Sequence, residues 1–161
     1  MTRRVVVDAS PLIILIKGDL AALLPQIFTS VIAPTGVCDE ILAGKEVDRA
    51  RRELPHLEWL DRVDPLKVDN AIAVYELGRG ESETLSVALS LPDSIALIDD
   101  AAARNCAKTL NIPFLGTGGF LALAKRRGLI RSLADSIVAV QEAGLWISQD
   151  IVDLLLVKAG E

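Results

Sequence analysis

The sequence predicts an α/β fold, a three-layer α/β/α sandwich with a mainly parallel central sheet, and three observations support this prediction. Short apolar segments with strand character alternate with helical patterns along the chain. Val5, Val6 and Val7 are three β-branched residues in a row, which is typical of a strand buried on both faces. Hydrophobic residues make up 51% of the chain but aromatic residues only 4%, so aliphatic side chains must fill the core. The 161 residues fit a single domain, 1–161.

Six segments are predicted to be strands because they are short, apolar and bounded by turn residues. They are residues 5–7, 30–33, 57–63, 94–98, 112–115 and 145–147. We expect segment 57–63 to lie at an edge of the sheet and segment 112–115 to lie inside it.

Ten further segments carry helical patterns. They are residues 11–16, 20–24, 34–43, 47–54, 68–77, 82–91, 101–110, 120–127, 133–143 and 151–157. Pro34 suits a first helical turn, and Gly44, Gly128 and Gly144 each follow a predicted helix end. Ser148 is the expected N-cap of the last helix.

Composition and charge argue against several classes of protein. The net charge of −5 is unlike that of a general nucleic-acid coat protein, but it is compatible with a nuclease whose metal-binding acids add negative charge. Cys38 and Cys106 fall within helical patterns and are expected to be buried, reduced thiols, and His56 is the only histidine, so no zinc site is expected. We see neither a signal-peptide pattern nor the roughly 20 apolar residues of a membrane span. We therefore expect a cytoplasmic protein with no membrane partner.

Acidic residues follow two of the predicted strands. Asp8 ends the first strand, where it could cap the next helix or take part in a site; Ser10 could serve as that cap equally well. Asp99 and Asp100 end the strand 94–98, and Asp100 could also be an N-cap. Two adjacent carboxylates repel each other, and a nearby cation would remove that cost. Because ligands bind at the carboxyl ends of strands in open α/β sheets, these acids indicate a site.

Helical periodicity predicts which of Glu81 and Glu83 faces the sheet edge, but it does not choose between Asp39 and Glu40. Asp39 and Glu40 lie at opposite edges of the apolar arc of their helix, so the pattern does not choose between them. In the helix that follows Gly80, Glu81 falls on the same stripe as the apolar residues Leu85, Ala88 and Leu89, whereas Glu83 points to the far side. We expect Glu81 to face the sheet edge and Glu83 to stand in solvent.

Carboxylates without histidine or cysteine form an oxygen-ligand site, which suits Mg²⁺ or Mn²⁺. The chemistry that such a site supports best is metal-assisted hydrolysis of phosphodiester bonds. The sequence therefore indicates a metal-dependent phosphodiesterase.

Five motifs follow one another along the whole chain: the strand ending in Asp8-Ala9-Ser10, Glu40 before Ile41-Leu42, Gly80-Glu81-Ser82-Glu83, Leu97-Ile98-Asp99-Asp100 with Ala103-Arg104, and Gly116-Thr117-Gly118-Gly119. This ordered set resembles the PIN-domain ribonucleases, and in particular the branch of VapC-type toxins. The resemblance implies a three-layer α/β/α fold and an enzyme that cleaves RNA with Mg²⁺ or Mn²⁺. It also implies the toxin of a toxin–antitoxin pair, and hence a small antitoxin protein as a partner.

Carried over residue by residue, the resemblance gives four catalytic, metal-binding acids: Asp8, Glu40, Glu81 and Asp100. Glu81 stands where the family usually has Asp. Its side chain is longer, so its carboxylate would reach a bound metal from a different distance, and Mg²⁺ requires near-ideal octahedral geometry. Asp99 is an additional candidate metal ligand.

The resemblance also gives three substrate-binding candidates: it places Ser10 and Thr117 near the substrate phosphate, and Arg104 near either the substrate or the acids. Each has a structural alternative, as a helix cap, a turn residue and a salt-bridge partner respectively. Arg79, Arg104 and Lys108 are the cations nearest the predicted acidic edge along the sequence, and so they are candidates for RNA phosphate contacts.

Two further expectations concern partners and the alternative function. The apolar helices 133–143 and 151–157 would expose more hydrophobic surface than a monomer usually does, which predicts a homodimer. The alternative to a nuclease is a catalytically weak or inactive PIN-fold module that binds RNA or protein. The glutamate at position 81 and the acidic balance favour that alternative.

Overall fold

A five-stranded sheet, parallel throughout, forms the centre of the computed structural model, which describes residues 3–161. The strands are β1 (Arg4–Val7), β2 (Ser30–Pro34), β3 (Leu60–Val63), β4 (Ser94–Leu97) and β5 (Phe114–Leu115), in the order β3-β2-β1-β4-β5. Every strand pair is parallel, and β1 lies in the middle, where its three valines are almost completely buried. The predicted fold class is confirmed. Met1 and Thr2 of the predicted domain 1–161 lie outside the described residues.

Helices cover both faces of the sheet. They are α1 (Ala9–Lys17), α2 (Leu24–Ile27), α3 (Thr35–Leu42), α4 (Arg49–Glu53), α5 (Asn70–Ala73), α6 (Arg79–Ser90), α7 (Ala101–Thr109), α8 (Thr117–Arg126), α9 (Leu133–Glu142) and α10 (Gln149–Lys158). Two short 3₁₀ helices, Ala21–Leu23 and Leu54–His56, lie in the connections.

The alternation of side chains along β1 divides the core into two layers. Val5 and Val7 pack in the layer that α1, α2, α3, α4, α8, α9 and α10 cover. Val6 packs in the smaller layer that α5, α6 and α7 cover. Because both faces of the sheet are covered, the carboxyl ends of the strands remain as the place where polar side chains can meet.

The structure corrects four of the predicted elements. Segment 145–147 is not a strand: it connects α9 to α10, Ile147 approaches α8 at Gly118, and Trp146 is exposed. The strand predicted at 112–115 is the two-residue edge strand β5 and does not lie inside the sheet.

The other two corrections are of length. The helix predicted at 68–77 is reduced to α5, because Asp69 caps it and Glu76 adopts a positive φ of 53° just after its end. The strand predicted at 57–63 begins only at Leu60, where the chain leaves the second 3₁₀ helix. It lies at the edge of the sheet, as expected.

Within residues 3–161, no single helix has the length and apolar character needed to cross a membrane. The segments Ala9–Lys17 and Ala21–Ile27, which meet at an angle of 113°, are together long and apolar enough for a membrane span, judged by length and composition alone.

A buried carboxylate joins α3 to α6. Glu83 is only 5% exposed, and its Oε1 accepts a hydrogen bond of 3.2 Å from the backbone N–H of Gly36. Arg79 Nε lies 2.9 Å from Glu83 Oε2, and Arg79 Nη1 lies 2.9 Å from Asp39 Oδ2. The expectation that Glu83 stands in solvent is therefore wrong. The start of α3 covers the side of α6 that carries Glu83, and the pattern of a single helix does not show such a neighbour. Leu89, predicted on the buried stripe, is 41% exposed.

We predict that Gly36→Ala lowers the free energy of unfolding by about 1–3 kcal/mol, the usual cost of overpacking a buried site. A β-carbon at Gly36 would lie 2.0 Å from Glu83 Oε2, and burial leaves that carboxylate little room to move. The same substitution should cost much less in a Glu83→Ala background, because the clashing carboxylate is gone. Urea unfolding of the two single variants and the double variant measures this coupling. Equal costs in both backgrounds would contradict the contact.

Candidate functional site

The candidate site begins with Asp8, the first residue after β1. Its backbone N–H donates to the carbonyl of Leu97 on β4, at 3.1 Å, which extends the sheet by one residue. Its side chain is 4% exposed, and Oδ1 accepts a 2.8 Å hydrogen bond from the N–H of Ala9, so Asp8 also caps α1. Capping and participation in a site, posed as alternatives by the sequence, are thus compatible.

The pKa of Asp8 is raised from its ordinary value of 3.8 to about 7. Burial is the largest cause, and repulsion from Glu81, Glu40 and Asp100 adds to it, while the hydrogen bond from Ala9 acts in the opposite direction. Three separate helices thus bring negative charge close enough to Asp8 to disfavour its ionised form.

The first turn of α6 brings Asp8 and Glu40 together. Gly80 has no side chain, and a β-carbon placed there would lie 3.6 Å from both Asp8 Oδ1 and Glu40 Oε2. Asp39, the neighbour of Glu40 on α3, is instead paired with Arg79. The structure therefore makes the choice between Asp39 and Glu40 that helical periodicity left open. Gly80 is a site residue that the sequence analysis missed, although its position directly before Glu81 was a usable signal.

Glu81 and Asp100 lie close enough for their charges to interact. Glu81 is half-buried, and its Oε2 accepts a 3.3 Å hydrogen bond from the N–H of Gly78. The pKa of Glu81 is raised, first by burial and then by repulsion from Asp100 and Glu40, against the effect of the Gly78 hydrogen bond. Asp100 is exposed, and its Oδ2 accepts a 2.9 Å hydrogen bond from the N–H of Ala103, so it caps α7.

Asp99 and Thr117 bind each other. The backbone N–H and the hydroxyl of Thr117 donate to the two carboxylate oxygens of Asp99, at 2.8 and 2.6 Å, and Thr117 is completely buried. The structure thus uses Asp99 to fix the start of α8, where it was expected as a metal ligand. It also buries the hydroxyl of Thr117, which was expected beside the substrate phosphate. Asp99 and Thr117 therefore fix the start of α8 next to the candidate site.

The other two expected substrate contacts, Ser10 and Arg104, are exposed. Ser10 lies in the first turn of α1, two residues after Asp8. The Arg104 guanidinium carbon lies 5.6 Å from the centre of the Phe114 ring. A β-carbon at Gly116 would lie 3.0 Å from Arg104 Nη2 and 3.3 Å from Asp99 Oδ1, so Arg104 reaches the edge of the site.

The donor chemistry of this edge fits a hard divalent cation. Asp8, Glu40, Glu81 and Asp100 offer only carboxylate oxygens, which are the ligands that Mg²⁺ and Mn²⁺ prefer. Burial, and to a lesser extent repulsion from the other three acids, raises the pKa of Asp8 to about 7, and a bound cation would offset both effects. Among the residues that the structure describes, no three acids stand close enough together to hold an ion as their side chains are now oriented. Glu40 and Asp100 are exposed, so their side chains have room to turn inward.

We predict that, in EDTA at pH 8, Asp8→Asn is more stable than the parent protein. The folded state holds the Asp8 proton with a pKa of about 7, against 3.8 ordinarily, so the free energy of unfolding falls as the pH rises through this window. At 1.36 kcal/mol per pKa unit the effect is roughly 4 kcal/mol at most. Asparagine keeps the cap to Ala9 but has no charge, so the gain should disappear near pH 4. Urea unfolding at several pH values measures it, and a gain that does not vary with pH would contradict the assignment.

Comparison with known families identifies the family to which this fold belongs. A family model described as PIN domain matches residues 4–161, which include all five strands and the four acids Asp8, Glu40, Glu81 and Asp100. No curated protein matches the chain. Because the match extends over nearly the whole length of the chain, this protein belongs to the PIN-domain family.

Proposed function

We propose that this PIN domain is a ribonuclease that requires Mg²⁺ or Mn²⁺ and hydrolyses RNA phosphodiester bonds. PIN domains are generally nucleases and typically use divalent metals, which supports a hydrolase acting on nucleic acid. The single observation that best supports the finer proposal is the state of Asp8. Its pKa of about 7 is caused first by burial and then by repulsion from Glu81, Glu40 and Asp100, and a bound cation would stabilise the ionised form.

Asp8, Glu40, Glu81 and Asp100 would hold the metal. When bound, it would polarise the scissile phosphate and lower the pKa of an attacking water. Asp8 must lose its proton to act as a ligand, so metal affinity should rise with pH around its pKa of about 7. Asp99 would keep the start of α8 in place through Thr117. Ser10 and Arg104, both exposed beside the acids, are the residues proposed to contact the substrate phosphate.

The resemblance to VapC-type toxins extends the proposal to a biological role. In this role the protein is the toxin of a toxin–antitoxin pair, acts in the cytoplasm and is blocked by a small antitoxin protein. The toxin role and the antitoxin rest on the motif resemblance, whereas the cytoplasmic location rests on the sequence, in which we see neither a signal-peptide pattern nor a membrane span.

Two observations favour the alternative, a PIN-fold module that binds RNA or protein without cleaving it. Within the described part of the chain, no three acids are preassembled around a possible metal position, and the third acid is the longer Glu81. Cleavage assays distinguish the two functions directly.

We predict that the purified protein cleaves mixed RNA with Mn²⁺ or Mg²⁺ and that EDTA abolishes the activity. Asp8→Asn and Glu81→Gln should each lower cleavage by about two orders of magnitude or more, because each removes a charged ligand while preserving side-chain size. Both variants should also lose the rise in thermal unfolding temperature that Mn²⁺ gives the parent protein.

Glu142→Gln is the matched control. Glu142 is an exposed glutamate on α9 beside the C-terminal end of α1, whereas Asp8 caps the opposite end of α1. This variant should cleave RNA and respond to Mn²⁺ as the parent does. Activity that survives EDTA, or equal activity in the parent and Asp8→Asn, would exclude the metal-dependent nuclease and leave the binding module.

The proposed homodimer would use the exposed apolar side of α10 and the preceding loop. Ile151, Leu154 and Val157 lie on one side of α10 with Trp146 before it, and all four are exposed. Several exposed apolar side chains on one element are typical of a protein–protein contact. These side chains form the surface that the second copy is proposed to cover.

We predict a dimer at micromolar concentration by light scattering, and a monomer after Val157→Glu, because the charge would have to be buried in the interface. Val74→Glu is the matched control, since Val74 is 76% exposed and Val157 is 74% exposed. A monomeric parent protein, or dissociation by both substitutions alike, would exclude this interface.

A further inference from the structure

We infer that a basic depression on α7, next to the acids, binds the single-stranded RNA segment adjacent to the scissile phosphate. Arg104, Lys108 and Phe114 form this subsite together with Ala101 and Asn105. The inference rests on the proposed nuclease function and adds to it the place where the substrate strand runs.

The depression has a volume of about 400 Å³ and lies between α7 and the edge strand β5. It is lined by Ala101, Arg104, Asn105, Lys108 and Phe114. At one end it adjoins the acids, because Arg104 reaches the backbone of Gly116 beside Asp99 and α7 begins directly after Asp100. A strand whose scissile phosphate lies at the acids can therefore continue into it.

The order of residues on α7 sets a path away from the acids. Asp100, Arg104 and Lys108 are spaced four residues apart, so they follow one another on the same side of the helix. At 1.5 Å per residue, Arg104 and Lys108 are separated by about 6 Å along the axis. Two cations in line with an acidic centre can contact successive phosphates of a strand that runs along α7.

Both cations are available for a ligand. Across residues 3–161, Arg49, Arg79 and Lys125 form ion pairs with carboxylates, whereas neither Arg104 nor Lys108 does. Both are exposed, in a chain whose net charge is −5. A polyanion would be repelled by most of this surface, so unpaired cations beside the acids give it a local attraction.

Phe114 gives Arg104 a fixed platform. The guanidinium lies over the half-buried ring at 5.6 Å, a cation–π contact that holds the side chain toward the depression. A guanidinium supported from below can stack on an unpaired base and still donate to phosphate. Bases in a duplex are not free to stack in this way, so the contact favours a single strand.

The test measures binding of a labelled single-stranded RNA by fluorescence anisotropy in EDTA, with Asp8→Asn present in every protein so that the RNA stays intact. Arg104→Ala and Lys108→Ala should each weaken binding about tenfold, as expected for loss of a charged hydrogen bond. Each should also reduce the slope of log affinity against log salt by about 0.7, the value for one phosphate contact on a single strand. Arg104→Lys should keep the slope but bind more weakly, because lysine retains the charge and loses the stacking.

Arg52→Ala and Lys158→Ala are matched controls, since both residues are exposed and lie near helix ends away from α7. They should leave both affinity and salt slope unchanged. Affinities and slopes for the α7 variants that equal those of the controls would overturn the subsite. So would RNA duplex bound as tightly as the single strand.

The outcomes separate the subsite from the proposed nuclease function. If Arg104→Ala and Lys108→Ala weaken RNA binding but the parent protein never cleaves, the subsite stands and the nuclease function fails. If the parent cleaves RNA and both variants retain its kcat/KM, the nuclease function stands and the subsite is overturned.

Discussion

The burial of Asp8 at the end of β1 is the constraint on which the rest of the site depends. The middle strand of a covered parallel sheet has no contact with solvent along its length, so its last residue meets water only where the helices separate. Asp8 lies at that point, hydrogen-bonded through its backbone to β4 and through its side chain to α1. Burial and three neighbouring acids raise its pKa to about 7. The ionised form of Asp8 is therefore disfavoured in the folded protein, and such perturbed carboxylates often lie in functional sites.

The elements around Asp8 are held by contacts that do not involve the acids themselves. Gly80 lets the carboxylates of Asp8 and Glu40 approach the start of α6. Glu83, two residues after Glu81, faces the other way and binds the backbone of α3. One short Gly-Glu-x-Glu motif therefore supplies both an acid for the site and the contact that joins the two helices carrying Glu81 and Glu40.

Both acidic and basic residues surround the candidate site. Glu40 lies on α3 and Glu81 on α6, whereas Arg104 and Lys108 follow Asp100 along α7. In a chain with a net charge of −5, these two cations give one end of the candidate site a local positive charge.

The sequence by itself determined the fold class, the outer strand β3 and the acids that follow strands, because strand burial and the carboxyl-edge rule are local properties read along one segment. It did not determine contacts between segments. Only the tertiary structure decided that Arg79 engages Asp39 and leaves Glu40 facing Asp8, since one helical wheel contains no partner helix. The burial of Glu83 could not be predicted from the sequence for the same reason, since the residues that cover it belong to α3.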